Sequence, residues 1–295
     1  MRVIFDVMRD GLSAINTAAN QFAKAQQEVA TGRRINSVSD DPLGAGQAIG
    51  EHATMATLDA YTRTSNSAAA KLSATDNVLG SIVDKLSSAI VAGTGARGSS
   101  VDATARSAAA AAIRSLRDGL VSDFNTTFNG TYLFSGTAVD QPPYAQVAGT
   151  WTYQGNADTA QVEVQHGQLI STTINGQEVA KGSDTNDVFT TLDQLADAIE
   201  AGDDDAIADG LSALDRAFDR ALRAQGQLGA AENGVDDATA RLQALRQAAD
   251  TRRSSIEDAN LVESATKMSQ ADTAYRAALG AVSSAERQSL LDYLQ

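Results

Sequence analysis

The sequence predicts a mainly α-helical protein with a small β domain: a long antiparallel helical rod with paired N- and C-terminal helices and a central β insertion. Three observations predict it. Outside residues 130–182, apolar side chains recur at alternating spacings of three and four, the period of a helix with one buried stripe. Proline occurs only at 42, 142 and 143, so none interrupts a helix from 43 to 141 or after 143. Half of the aromatic residues, seven of fourteen, fall between Phe124 and Tyr153, where the helical period gives way to alternation.

The first helix carries the seam Leu12, Ile15, Ala19, Phe22, Gln26, Val29 and ends near Gly32, a residue suited to a helix C-terminus. A polar link follows, and Asp41-Pro42 reads as N-cap and first position of the next helix. That second helix has the longest seam: Leu58, Tyr61, Ser65, Ala68, Leu72, Thr75, Leu79, Ile82, Leu86 and Ala89. Helical from 43 to 91, it would span about 70 Å at ~1.5 Å per residue, too long for the core of a globule. After the break at 93–102, a third helix starts at Ser100 or Asp102 and buries Ala109, Ile113, Leu116, Leu120, Phe124 and Phe128, forming an αα-hairpin with the second.

Between 131 and 182 the chain reads as short strands. Residues 161–165 alternate with period two, and Asn175-Gly176 reads as the type I′ turn of a hairpin joining 169–174 to 177–180. The insertion is thus expected to pair its strands locally. Helices return with Val188, Leu192, Leu195 and Ile199, closed by Gly202. A long one follows from Ile207 to Ala249, with a bend expected at Gly226, Gly229 and Gly234. The last segment carries Leu261, Ala265, Met268, Asp272, Tyr275, Leu279 and Val282.

Composition excludes whole classes of function. The 295 residues hold 23 basic and 37 acidic side chains, a formal charge of -14. That argues against nucleic acid, which needs a basic footprint, and against anionic membrane, which needs clustered Lys and Arg. Cysteine is absent, which removes disulfides, thiolate metal sites and thiol catalysis. No window approaches the ~18 apolar residues of a membrane span. Asp6 and Asp10 interrupt the first apolar stretch, so no cleaved secretory signal is read there.

No catalytic constellation can be assembled. His52 and His166 are far apart in sequence and read as exposed residues without a role. Asp203-Asp204-Asp205 lacks the alternate spacing of a calcium loop and reads as an N-cap before Ile207. Tyr144, Trp151 and Tyr153 read as filling for the β core, with a sugar- or surface-binding patch as the competing reading. No cofactor or metal is expected.

Two short segments carry a family. Residues 31–37, Thr-Gly-Arg-Arg-Ile-Asn-Ser, followed by Asp40-Asp41-Pro42, resemble the N-terminal signature of bacterial flagellins and their junction relatives. Ile256-Glu257-Asp258-Ala259-Asn260 and then Met268-Ser269-Gln270-Ala271 resemble the C-terminal one. Gly130 to Gly136, Pro143-Tyr144, residues 153–156 and the close at 289–294 are similar to the branch that sits between flagellar hook and filament, whereas a short flagellin is the near alternative.

The resemblance implies a structural protein of the flagellum, not an enzyme. It implies export through the flagellar type III apparatus, unfolded and without a cleaved signal, to an extracellular ring. Its implied partners are copies of itself, the other hook–filament junction protein, flagellin or hook-side subunits, and an export chaperone. It also divides the chain: 1–41 with 256–295 as an inner coiled-coil domain, 42–129 with 182–255 as the rod, and 130–181 as an exposed β domain. The assembly interface is then expected at Leu12, Ile15, Phe22, Val29, Arg33, Arg34, Ile35, Asn36, Ile256, Leu261, Met268, Tyr275, Leu279 and Val282. A lone helix pair buries too little surface to offset its chain entropy, so these ends are expected to order fully only in the assembly.

Overall fold

The computed structural model describes residues 2–98, 101–147 and 149–293, with side chains described between residues 9 and 284. Along the chain lie α1 (Arg2–Thr31), α2 (Pro42–Gly95), α3 (Ala103–Phe124), β1 (Thr127–Phe128), β2 (Thr131–Tyr132), β3 (Tyr144–Val147), β4 (Thr150–Tyr153), β5 (Gln161–Gln165), β6 (Gln168–Ser171), α4 (Gly176–Ala180), α5 (Val188–Ala201), α6 (Asp204–Glu257) and α7 (Leu261–Tyr293). The mainly helical class with a small β part holds. Contacts divide the chain into two units, residues 1–58 with 244–295 and residues 59–243.

In the first unit α1 and α7 pack antiparallel. Each end of the link between α1 and α2 has a local cause. Gly32 takes φ 68° and donates its N–H to Glu28 O at 2.9 Å, closing α1 with the left-handed residue that glycine tolerates best. Asp41 Oδ1 accepts from Gly44 N at 2.9 Å, and Pro42 opens α2, as the sequence predicts.

In the second unit the seam of α2 is buried from Ser65 to Ala89 at every position named from the sequence. It faces α6, where Ile207, Leu211, Leu214, Ala221, Leu228, Val235 and Ala238 are buried. At Gly226, Gly229 and Gly234, where a bend was expected, α6 is not interrupted: one helix runs through all three, and its buried stripe continues in phase on both sides of them. Asp102 caps α3, accepting from Ala105 N at 2.7 Å; Ser100 lies outside the described residues. Lys85 of α2 reaches Asp123 of α3 at 2.6 Å, which fixes the αα-hairpin. Asp187 and left-handed Gly202 bound α5, and Asp203 accepts from Ala206 N to open α6. Arg114 joins α3 to Asp197 and Glu200 of α5, and Arg117 joins it to Asp193.

The β segment corrects the sequence reading. Among the described residues three separate antiparallel pairs form, β1 with β2, β3 with β4, and β5 with β6. The β5–β6 hairpin turns at His166-Gly167, where Gly167 has φ 77°. Asn175-Gly176 is no turn. Asn175 caps α4 by accepting from Gln177 N at 2.9 Å. Gly176 is required for close approach: a Cβ there would lie 2.7 Å from Phe134 O, which its N–H already bonds.

The segment also shares its core with helices. Phe124 of α3 meets Phe134, Tyr144 and Phe189 edge to face at 5.4, 5.5 and 5.5 Å, and Tyr144 meets Phe189 at 4.7 Å. Tyr144, Trp151 and Tyr153 are therefore part of a core and not a surface patch. Burial pushes the Tyr153 hydroxyl up to about 12; it donates to Phe134 O at 2.9 Å.

Candidate assembly interface

The two segments that carry the resemblance meet in space. Arg34 N donates to Glu257 O at 2.6 Å and Ala259 N donates to Gly32 O at 2.9 Å, a short antiparallel bridge between Arg33 and Asp258. The Arg34 guanidinium donates to Ile256 O at 2.9 Å and to Asp41 at 3.2 Å. One arginine thus ties the α1–α2 link to the end of α6 and to the cap of α2.

Around that bridge the link is held by its own side chains. Asn36 accepts from Thr31 Oγ1 and donates to Arg33 O, both at 2.8 Å. Asp40 receives the N–H groups of Asn36 and Ser37 and pairs with Lys24 at 3.0 Å. The Lys24 ammonium and the Ser37 N–H hold its carboxyl down at about 2. The hydrogen bond from Gly44 N, with Arg34 behind it, lowers Asp41 as well.

Glu257 lies beneath, buried to 7 % exposure, with its carboxylate 3.0 Å from His52 Nε2 and 3.3 Å from Arg253. His52 therefore has a partner, which its isolation in sequence does not reveal. His166 is exposed at 95 %. Among the described residues no group of His, Asp and Glu could hold a metal ion, and no helix is long and apolar enough to cross a membrane.

The contact between α1 and α7 is built from two rows on each helix. Gly11, Ala18 and Ala25 form a row of small residues at seven-residue spacing, and Ile15, Phe22 and Val29 form a row of large ones. On α7 the small row is Ser264, Ala271 and Ala278, and the large row is Met268, Tyr275 and Val282. Gly11 faces Val282. Stepping by sevens in opposite directions from that contact sets Ala18 opposite Tyr275 and Ala25 opposite Met268. The interleaved layers set Ile15 opposite Ala278, Phe22 opposite Ala271 and Val29 opposite Ser264. Each layer pairs a large side chain with a small one, which lets the helices approach closely. At one end Glu28 accepts from Ser264 Oγ at 3.1 Å inside the seam.

This places the expected interface residues in three groups. Ile15, Phe22, Val29, Met268, Tyr275 and Val282 lie on the seam between α1 and α7 and are half-buried there. Leu12, Leu261 and Leu279 lie off it, exposed at 53, 55 and 42 %, together with Val262, which the sequence reading passed over. The expected seam is thus wrong in one row: Ala18 and Ala25 are buried where Ala19 and Gln26 were expected, and Ala271 where Asp272 was. The link residues divide again. Ile35 is buried at 7 % against Gly44, and Asn36 spends its amide on the link, so both shape the unit from inside. Ile256 is half-buried, and its carbonyl is taken by Arg34. Arg33 is exposed and makes no ion pair among the described residues.

Comparison with known proteins gives one answer throughout. Residues 10–139 match the bacterial flagellin N-terminal helical region and residues 211–294 the C-terminal helical region. Flagellar hook-associated protein 3 of Escherichia coli is 26 % identical over 223 residues, 70 % of this chain and 70 % of that protein. The protein of that name from Salmonella typhimurium is 26 % identical over 216 residues, 68 % of this chain and 67 % of that one. The solved flagellar junction protein FlgL from Legionella pneumophila superposes with a TM-score of 0.62 at 13 % identity, covering 72 % of this chain and 100 % of that one, a likeness of fold.

Proposed function

The chain belongs to the bacterial flagellin family, and from that premise we propose that it is the structural protein joining the flagellar hook to the filament. It is a structural component of the flagellum and not an enzyme. The choice of the junction over the filament rests on the likeness to hook-associated protein 3 in two organisms, over about two thirds of the chain in each case.

The single observation that carries the assembly role is the division of labour on the terminal helices. Their small residues close the seam within the chain, while Leu12, Leu261, Val262 and Leu279 stay exposed. Burying such apolar area is worth ~25 cal/mol per Å², and neighbouring subunits in a ring supply the surface that buries it. Arg33, extended from the bridge between the two signature segments, meets a carboxylate of a neighbour. Export is unfolded, through the flagellar type III apparatus and with a dedicated chaperone. The other junction protein and flagellin or hook-side subunits bound the ring on its two faces.

Deletion of the gene tests this reading. Cells without the protein are expected to build hooks and to release flagellin into the medium, because the filament has no matched surface to start on. Normal filaments on the deletion strain would contradict it.

A further inference from the structure

Three Asn-Gly pairs occur in the chain, at 129–130, 175–176 and 233–234. Asn-Gly is the dipeptide most prone to deamidation, because a glycine nitrogen reaches the preceding side chain without hindrance from a Cβ. Whether it reacts in a folded protein depends on what holds that nitrogen. The three pairs here are held in three different ways.

Asn233 and Gly234 lie inside α6, where the Gly234 N–H belongs to the helix and the right-handed backbone keeps it off the Asn233 side chain. Gly176 is buried, its N–H donates to Phe134 O at 3.0 Å, and Asn175 Oδ1 is occupied by Gln177 N at 2.9 Å. Asn129 and Gly130 form the two-residue turn between β1 and β2, with Phe128 paired to Thr131. Both are exposed, and neither the Asn129 amide nor the Gly130 N–H makes a hydrogen bond among the described residues. Their φ angles are 50° and 79°, the signature of a type I′ turn. Asn129 is the one described residue other than glycine with positive φ, a conformation in which its Cβ is crowded. The hairpin pairs only two residues on each strand, so opening it to rotate Asn129 costs far less than unwinding α6 or breaking into the core beneath Gly176.

We propose that Asn129 is a self-modification site, converting to aspartate and isoaspartate in the folded protein while Asn175 and Asn233 are protected. The Gly130 nitrogen, losing its proton to base, attacks Asn129 Cγ. The N–Cγ bond forms, the Cγ–Nδ2 bond breaks, and ammonia leaves. Water then opens the cyclic imide. Attack at Cγ restores the chain as aspartate; attack at the main-chain carbonyl leaves the chain running through the side chain as isoaspartate. Asparagine and water give the acid and ammonia, with no other reactant. Aspartate still fits the left-handed turn and adds a negative charge. Isoaspartate adds a backbone carbon to a two-residue loop and breaks the Thr127–Tyr132 and Phe128–Thr131 pairing.

The full-length protein, held folded in mildly alkaline buffer, tests this by peptide mass spectrometry of the three sites against a sample kept in urea. Conversion is expected at Asn129 alone in the folded sample and at all three sites in urea. Brief treatment with hydroxylamine, which cleaves the cyclic imide, gives a second measurement. It should cut the folded chain after residue 129 and the unfolded chain after 129, 175 and 233. The proposal is overturned if Asn175 or Asn233 converts as fast as Asn129 in the folded protein. It is equally overturned if Asn129 stays intact when folded but reacts in urea.

Discussion

Gly11 and Val282 touch across the terminal helix pair so closely that a Cβ on Gly11 would lie 2.7 Å from Cγ2 of Val282. The contact stands at one end of a seam in which every layer sets a small residue against a large one. Gly11→Ala should be mild, since the end of the Val282 side chain can turn away. Gly11→Leu fills the layer from both sides, and overpacking of this kind costs about 1–3 kcal/mol. Hydrogen exchange across residues 9–31 should then rise, while exchange across residues 60–95 stays unchanged.

Leu279 lies outside that seam, 42 % exposed. Leu279→Asp should therefore leave the thermal transition of the monomer where it is and abolish assembly, since in the ring an unpaired carboxylate would be buried at a cost of several kcal/mol. Fractionation of secreted from flagellum-bound protein checks the second half, and calorimetry the first. A lowered Tm would place Leu279 in the core of the chain.

Phe134 is fully buried and meets Phe124 of α3 edge to face. Phe134→Ala is expected to destabilise the unit of residues 59–243 by about 3–5 kcal/mol, the usual range for an aromatic core truncation. Excision of residues 130–181 should do more, uncovering Phe124 and Phe189 together. Denaturant unfolding measures both. An unchanged midpoint would show that the strands stand apart from the helices, as the sequence alone suggests.

What the sequence reveals depends on which signal a residue's neighbours carry. The stripe of α2 is legible because large apolar residues line it, and the start of α3 and the close of α5 because Asp102 and Gly202 do local work. On α1 and α7 the row of large residues is legible, but the row of small ones is not. Alanine is common on every face here, so Leu12 and Gln26 look better placed than Gly11 and Ala25. Asn175-Gly176 misleads for a different reason: the glycine is needed for close approach to Phe134 and not for a turn. The Glu257–His52 pair spans more than two hundred residues, and no local pattern announces it.

Asp40 gives the link an acid limit. Its carboxyl sits near 2 when folded against 3.8 as a free side chain. A group held down in this way stabilises the folded state above its unfolded pKa, and that contribution is lost as pH falls through the folded one. Order in residues 32–41 should thus weaken between about pH 4 and pH 2. Asp40→Asn removes the ion pair with Lys24 and should reduce that dependence, leaving the share that the lowered Asp41 carboxyl contributes. Amide exchange of Asn36 and Ser37 against pH, in the wild type and the variant, measures it.

The central claim is a location. The chain has no cysteine, so Thr150→Cys, at an exposed strand position, supplies a single thiol for a fluorescent or gold label. On intact flagella the label should fall at one point, between hook and filament. Label along the whole filament would contradict the junction role and make the protein a filament subunit.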